Sequence, residues 1–404
     1  MEYGLIGNPL GHSYSPRIHT LLADYDYTLH PLEPEGLAAF FARGDFQGFN
    51  VTIPYKQAVI PFLDALSPAA ARIGAVNTVV CRPDGTLWGD NTDYTGFVRT
   101  VRGLKLAPPL GEAVVLGSGG ASRAVAAGLR DLGFSDIVII SRQGEENYET
   151  LYTHRPRLLV NATPVGMYPK NGERPADLSR LPSLEAVIDL VYNPGHTALL
   201  QQAEALGLKS AGGLLMLTAQ AAAACELFCG KKISDERVDA IAARLRRETE
   251  NLLLIGMPGC GKTTVGRLLA EKTGRPFADT DELLAREQGM AAGEYLSRVG
   301  EAAFREREHE ILARVSRESG LVIATGGGCV TREENFPLLR QNSRVIWLRR
   351  DLTALSTVGR PLSKDPEKLY AMREPLYAGA AQLTVDNNST AASCAEAILR
   401  EVGL

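Results

Sequence analysis

Two glycine-rich turns of different kinds, each set between an apolar run and an amphipathic stretch, fix most of what this 404-residue chain can become. The first is Gly117-Ser-Gly-Gly-Ala121, after Val114, Val115 and Leu116. The second is Gly256-Met-Pro-Gly-Cys-Gly-Lys-Thr263, after the apolar run 252–255. A strand that ends in glycines and reopens as a helix lets backbone N–H groups approach an anion at the positive end of that helix. The first turn begins as the G-x-G of a dinucleotide loop, with Ser122 where a third Gly or Ala is expected. The second is a complete G-x-x-x-x-G-K-[ST], the loop that cradles nucleoside triphosphates. One active site rarely needs both chemistries, so the chain reads as two enzymes joined end to end, each with its own nucleotide.

Bulk properties leave room for that reading. The length suits two to three domains. Charged residues make up 22%, apolar residues 45% and the net charge is −4, so no basic field favours nucleic acid or an anionic membrane. The expected partners are small molecules, and the oligomeric state is left open. The N-terminus lacks a basic, apolar leader and no later stretch has membrane-spanning length, which places the protein in the cytoplasm. Cys81, Cys225, Cys229, Cys260, Cys329 and Cys394 lack metal-ligand spacing, as unpaired packing residues of a reducing compartment would.

Short runs of Val, Ile and Leu at 114–116, 137–140, 158–160, 187–190, 252–255, 321–324 and 345–348 alternate with amphipathic stretches. This is the pattern of βαβ units with parallel sheets. The charged segment 235–250 runs straight into the 252–255 strand, and the boundary is placed at residues 1–247 against 248–404. Pro108-Pro109 divides the first part again, into about 1–105, to which the C-terminal helices return, and about 106–210, which holds the dinucleotide loop.

Ahead of that loop, Ser13 and Ser15 lie two apart, so in an extended segment both hydroxyls face one side and could hold a carboxylate. Thr52 and Lys56 flank the end of a strand that Pro54 stops, and Gly74-Ala-Val-Asn-Thr78 and Gly89-Asp-Asn-Thr-Asp93 end on polar groups. After the run 137–140, where an NAD site carries an acid, stand Ser141 and Arg142; a guanidinium there suits the 2′-phosphate of NADP, or is an ordinary surface arginine. His12 is read as a turn residue rather than an acid catalyst.

Taken together and in order, G-N-P-L-G-H-S-Y-S-P, N-V-T-I-P-Y-K, G-A-V-N-T, D-N-T-D-Y-T-G, G-S-G-G-A, N-A-T-P-V-G-M and G-G-L-L-M-L-T-A-Q-A-A resemble shikimate dehydrogenase across residues 3–230. The resemblance implies reduction of 3-dehydroshikimate with NADPH on a substrate α/β subdomain beside a Rossmann-like NADP subdomain. It implies Ser13 and Ser15 on the substrate carboxylate, Thr52, Asn77, Asp93 and Gln220 on ring hydroxyls, Tyr192 in the cleft, and Lys56 with Asp93 as the catalytic pair. The dinucleotide falls to Gly117, Gly119, Gly120, Ala121, Arg142, Asn161, Thr163 and Gly213. The family's Asn-Arg-Thr after the second dinucleotide strand is replaced here by Ser141-Arg142-Gln143.

In the second part, Phe277-Ala-Asp-Thr-Asp281 sets two carboxylates on one side of an extended segment, and Arg305 and Glu308 lie one helical turn apart. Gly326-Gly-Gly328 follows a strand, Arg360-Pro-Leu sits in a loop, and Arg373-Glu-Pro-Leu-Tyr377 ends a helix. Loop, acids, glycines and arginines in this order resemble shikimate kinase over about 250–404, a P-loop α/β domain with a parallel sheet. The resemblance implies Asp281 on the reacting hydroxyl, Arg305 and Arg373 on the shikimate carboxylate, and Gly327 and Gly328 on the ring. ATP falls to Gly259, Cys260, Gly261, Lys262, Thr263, Thr264 and the lid residue Arg360, with Thr263 and Asp279 on Mg²⁺; Lys262 also serves catalysis. Two other readings stand beside the fused enzyme: a sensor that kept the folds and lost catalysis, and a dehydrogenase preferring quinate or NAD.

Overall fold

The computed structural model describes residues 3–11, 13–355 and 365–404. They form two compact units. The first comprises Met1–Met167, Glu173–Tyr192 and Leu199–Leu245, the second Tyr168–Gly172, Asn193–Ala198 and Arg246–Leu404, so the division is not a single cut in the chain.

Two sheets build the first unit. One takes β1 (Tyr3–Gly7), β2 (Tyr27–Pro31), β3 (Gly48–Val51), β4 (Ala65–Leu66), β5 (Thr78–Cys81) and β6 (Leu87–Asp90) in the order β2-β1-β3-β5-β6-β4. It is mixed: β1 runs parallel to β2 and β3, while β5 is antiparallel to both β3 and β6. The other takes β7 (Glu112–Leu116), β8 (Asp136–Ile140), β9 (Leu158–Asn161), β10 (Ala186–Asp189) and β11 (Lys209–Gly212), all parallel, in the order β11-β10-β9-β7-β8. The second unit carries one parallel sheet, β13-β14-β12-β15-β16, from β12 (Asn251–Ile255), β13 (Phe277–Asp279), β14 (Val322–Ala324), β15 (Ser343–Arg349) and β16 (Leu383–Asp386).

The unbroken apolar runs follow from these parallel sheets, which helices cover on both faces, so successive side chains all meet core rather than alternating with solvent. All five residues of β12 and the last four of β7 are buried. In each parallel sheet this strand lies between neighbours reached in opposite directions, and the crevice outside its C-terminal end is the topological place for a ligand. Both glycine turns stand there. They open the helices Gly120–Leu132 and Lys262–Thr273, which Gly133 (φ 93°) and Gly274 (φ 68°) end in left-handed caps. The 235–250 segment is the helix Asp235–Thr249. All six cysteines are unbridged, and among the described residues no helix is long and apolar enough to cross a membrane.

Candidate active sites

In the first unit a polar cluster gathers above the mixed sheet. Lys56, in the turn after β3, places Nζ 2.6 Å from Oδ2 of Asp93, with the two side chains 16% and 12% exposed. Asp93 lies in the first turn of helix Thr92–Gly103, capped by Asn91, whose Oδ1 accepts from the Tyr94 N–H at 3.3 Å. Asn77 donates to Asp93 Oδ1 at 2.9 Å and reaches Gln220 Oε1 at 3.4 Å. Gln220 is carried by helix Gly213–Cys229, and close packing of the two helices brings it in: a Cβ on Gly96 would lie 2.6 Å from the Met216 carbonyl oxygen. Thr52 donates its backbone N–H to Ile6 against β1, where Gly7 leaves room, since a Cβ there would fall 2.3 Å from Thr52 Cγ2.

The dinucleotide turn meets this cluster. A Cβ on Gly120 would stand 3.7 Å from Lys56 Cδ, and Gly119 caps the helix with Ser122 bonding back to its carbonyl at 2.6 Å. Ser122 thus closes the turn by a hydroxyl instead of the closer packing a third glycine would give. Gly117 has φ 101°, and a Cβ there would meet the Thr163 methyl at 2.9 Å and the Ala162 carbonyl oxygen at 3.2 Å, so a side chain is disfavoured at this turn. Asn161 is fully buried: it accepts from Thr163 and donates to Asp189 at 2.9 Å. Arg142 stands exposed just past β8, whose Ile140 carbonyl takes the Gly117 N–H. Tyr192 stacks at a tilt on Tyr14, 5.2 Å between ring centres, and Gly213 is required because a Cβ would lie 2.2 Å from Leu190 O.

In the second unit a cavity of about 460 Å³ joins the P-loop to the polar residues downstream. Lys262 is buried and donates to the Gly256 and Met257 carbonyls at 2.9 and 3.0 Å. Thr263 donates to Asp279 Oδ2 at 2.7 Å, and the other Asp279 oxygen caps helix Thr280–Gln288 through the Asp281 N–H. A hydroxyl beside a carboxylate is the hard-oxygen donor pair a magnesium ion shares with phosphates. Asp281 opens on the cavity yet is crowded by protein; that crowding first, then Glu308 and Asp279, push its carboxyl up to about 6 against the pull of Lys262 and Arg305. Arg305 binds Glu308 at 2.8 Å, and buried Arg373 donates to Gly327 O at 3.0 Å.

The three glycines leave room for their neighbours: a side chain at Gly327 would run into the Pro258 ring and backbone, and one at Gly326 or Gly328 would displace the charged end of Glu308 or Arg305. A Cβ on Gly326 would fall 2.1 Å from Glu308 Oε1, on Gly327 2.7 Å from Pro258, and on Gly328 2.2 Å from Arg305 Nη1. Gly259 and Gly261 take φ 86° and 97°, and Thr264 lines the same cavity; Cys260 is buried behind the loop.

Three local expectations change. Ser13 and Ser15 do not share an extended segment: Ser15 starts helix Ser15–Leu22 and its N–H donates to Ser13 Oγ at 3.2 Å, because Pro16 favours a helix start. Asp279 and Asp281 sit at a strand end and in a helix first turn, since Asp279 is the better cap than a continuing strand residue. Arg373 lies inside helix Pro366–Ala380 rather than at its end. His12 and Arg360 lie outside the described residues. Two residues escaped sequence reading: Asp189, whose signal was an acid closing the apolar run 186–189, and Glu308 as a cavity wall, readable only as a helix-surface partner of Arg305.

Comparison with known proteins gives these clusters a context. The Shikimate dehydrogenase substrate binding domain model matches residues 5–79 and the Shikimate kinase model matches 258–403. The chain is 40% identical over 287 residues to a shikimate dehydrogenase (NADP(+)) of Synechococcus sp. (strain JA-3-3Ab), covering 63% of this chain and 95% of that protein. The chain belongs to the shikimate dehydrogenase family. Among solved shikimate dehydrogenases, a chorismate mutase/shikimate 5-dehydrogenase fusion protein from Clostridium acetobutylicum superposes with a TM-score of 0.57 at 38% identity, over 60% of this chain and 96% of that one. The Thermus thermophilus enzyme, solved in complex with NADP(H) and shikimate, gives 0.54 at 35%, over 60% and 99%. The Shikimate dehydrogenase substrate binding domain match lies at 5–79 and the Shikimate kinase match at 258–403 of one chain, so the dehydrogenase is fused to a shikimate kinase domain.

Proposed function

We propose that the chain reduces 3-dehydroshikimate to shikimate with NADPH in its first part and phosphorylates shikimate with ATP and Mg²⁺ in its second, as a cytoplasmic enzyme of small-molecule metabolism. The observation that carries this is the Lys56–Asp93 pair at 2.6 Å beside Gly120, in a chain whose P-loop lies at the start of a stretch matched by the Shikimate kinase model. We assign reduction to residues 1–247 and phosphorylation to 248–404, with 1–105 holding the substrate and 106–210 the dinucleotide.

NADPH, when bound, supplies hydride to the C3 ketone. Lys56 donates the proton that turns the resulting alkoxide into a hydroxyl, and Asp93 orients its ammonium. Ser13 and Ser15 take the carboxylate and Thr52, Asn77 and Gln220 the ring hydroxyls. Gly117, Gly119, Gly120, Ala121, Asn161, Thr163 and Gly213 leave the backbone room a pyrophosphate and nicotinamide need, and Arg142 faces the ribose phosphate.

ATP with magnesium, when bound, supplies the phosphoryl group. Asp281 accepts the proton of the 3-hydroxyl as its oxygen attacks, and Lys262 offsets the charge left on the leaving oxygens. Gly259, Cys260, Gly261 and Thr264 supply loop N–H groups, and Thr263 and Asp279 hold the metal. Arg305 and Arg373 take the shikimate carboxylate, whose two oxygens match a guanidinium fork, while Gly327 and Gly328 border the ring. Because Gly328→Ala would force Arg305 aside, it should raise the KM for shikimate by about tenfold, as the loss of one charge-assisted contact does. Initial rates against shikimate at saturating ATP check this.

The deciding test supplies 3-dehydroshikimate, NADPH, ATP and Mg²⁺ to the full chain and analyses products. Shikimate 3-phosphate should form with equimolar NADPH oxidised. Accumulation of shikimate alone would reject the second activity, and faster turnover with NADH or quinate would reject the assigned specificity. The intact set Lys56, Asp93, Lys262 and Asp281 weighs against the sensor reading.

A further inference from the structure

We propose that Tyr27, Asn50 and Thr78 act as positioning residues of the reductase, through a one-way chain of hydrogen bonds that fixes which oxygen Asp93 offers to Lys56; the inference rests on the reductase assignment above.

The chain begins on β2. Tyr27 donates its phenol proton to Asn50 Oδ1 at 2.7 Å. Its burial drives the phenol well above its ordinary value, so it stays a donor. Both hydrogens of the Asn50 carboxamide are used, on Thr78 Oγ1 at 3.0 Å and Asn77 O at 3.2 Å. Asn50 therefore has one orientation only. With its oxygen accepting from Asn50, Thr78 has its own hydrogen for Asn77 Oδ1 at 3.1 Å, directly or by way of the Thr92 hydroxyl, which lies 3.1 Å from Thr78 Oγ1 and 3.1 Å from Asn77 Oδ1.

Asn77 Oδ1 is the meeting point. It also receives the Thr92 N–H at 2.7 Å and lies 3.1 Å from the Thr92 hydroxyl. A flipped Asn77 would set its NH₂ against these donors, so the amide is locked with Nδ2 on Asp93 Oδ1, at 2.9 Å. Asp93 is left with Oδ2 for Lys56, at 2.6 Å. Every donor after the phenol has itself accepted a bond, an arrangement in which each link polarises the next. Tyr27, Asn50, Asn77, Thr78 and Thr92 are all at most 9% exposed, so water does not replace a lost link.

Thr78→Val keeps the shape and deletes the hydroxyl, while Thr78→Ser keeps the hydroxyl and deletes a methyl. Freed, Asn77 and Asp93 drift, and misplacement of about 1 Å costs roughly a hundredfold in the limit. Since Thr92 still holds Asn77, the expected loss for Thr78→Val is about tenfold in reductase kcat with the NADPH KM within about twofold, and Thr78→Ser should recover most of it. Tyr27→Phe, one link further out, should lose about threefold and serves alone if Thr78→Val does not fold. Phosphorylation by the same preparations should be unchanged. Equal rates in Thr78→Val and wild type, equal losses in Thr78→Val and Thr78→Ser, or an unaltered kcat in Tyr27→Phe would each overturn the inference. A wild-type chain that does not reduce 3-dehydroshikimate would instead overturn the reductase assignment on which it stands.

Discussion

Lys56→Ala is expected to lower reductase kcat by about a thousandfold, within the roughly 10²–10⁴ that a positioned acid contributes, while phosphorylation by the same molecules stays within about twofold. The first half follows from geometry. Lys56 is the one assigned proton donor, its ammonium held 2.6 Å from Asp93 and its stem against the dinucleotide turn at Gly120. Removing it also leaves Asp93 with a bare Oδ2 in a site only 12% exposed, so substrate binding suffers too and kcat/KM falls further than kcat. The second half follows from the division of the chain, since the residues around the P-loop belong to a different compact unit. Coupled assays on one preparation, following NADPH absorbance and then ADP release, check both halves. Parallel loss of the two activities would show that the sites are not autonomous.

How far the sequence discloses this arrangement depends on the range of the interaction involved. The parallel sheets were legible because β7 and β12 are buried on both faces, a condition that writes itself as an unbroken apolar run ending in glycine. The P-loop was legible for a similar reason: Gly256, with φ 144° and a Cβ that would lie 2.6 Å from Leu348 O, and Gly261, with φ 97°, tolerate little else. Asp93 and Lys56 are 37 residues apart and could be paired only through the family resemblance. Local register was less secure. Two serines spaced by one residue look alike in a strand and at a helix start, and so do Asp279 and Asp281; capping decided against the strand in both places. Tyr27 and Asp189 carry no motif of their own, and Asn50 stands inside N-V-T-I-P-Y-K with nothing in the motif to name its partner, because a polar residue in an apolar run shows its partner only after folding. The antiparallel pairing of β5 with β3 and β6 was likewise hidden, as short strands of four residues signal little about direction.

Asp281→Asn should lower the kinase kcat by about 10²–10³-fold, and its pH behaviour separates loss of a base from loss of the fold. In the wild type the crowding at the cavity wall, with Glu308 and Asp279 nearby, holds Asp281 up to about 6, above an ordinary 3.8. A raised carboxylic acid is protonated below that value and cannot accept the hydroxyl proton. The wild-type kcat/KM for shikimate, which reports the free enzyme, should therefore fall towards acid pH, and the residual kcat/KM of Asp281→Asn should lack that limb. Stability runs the other way. Unfolded Asp281 ionises from near 3.8 while the folded form resists until about 6, so this group stabilises the fold least at and above the upper value. The neutral amide removes that cost, and the variant should melt no lower than wild type at pH 7 despite its lost activity. Melting curves at pH 5 and pH 7 beside the rate profile check the pair of signs. A variant that melts much lower at pH 7, or a wild-type profile flat through 6, would take Asp281 out of the proton-accepting role.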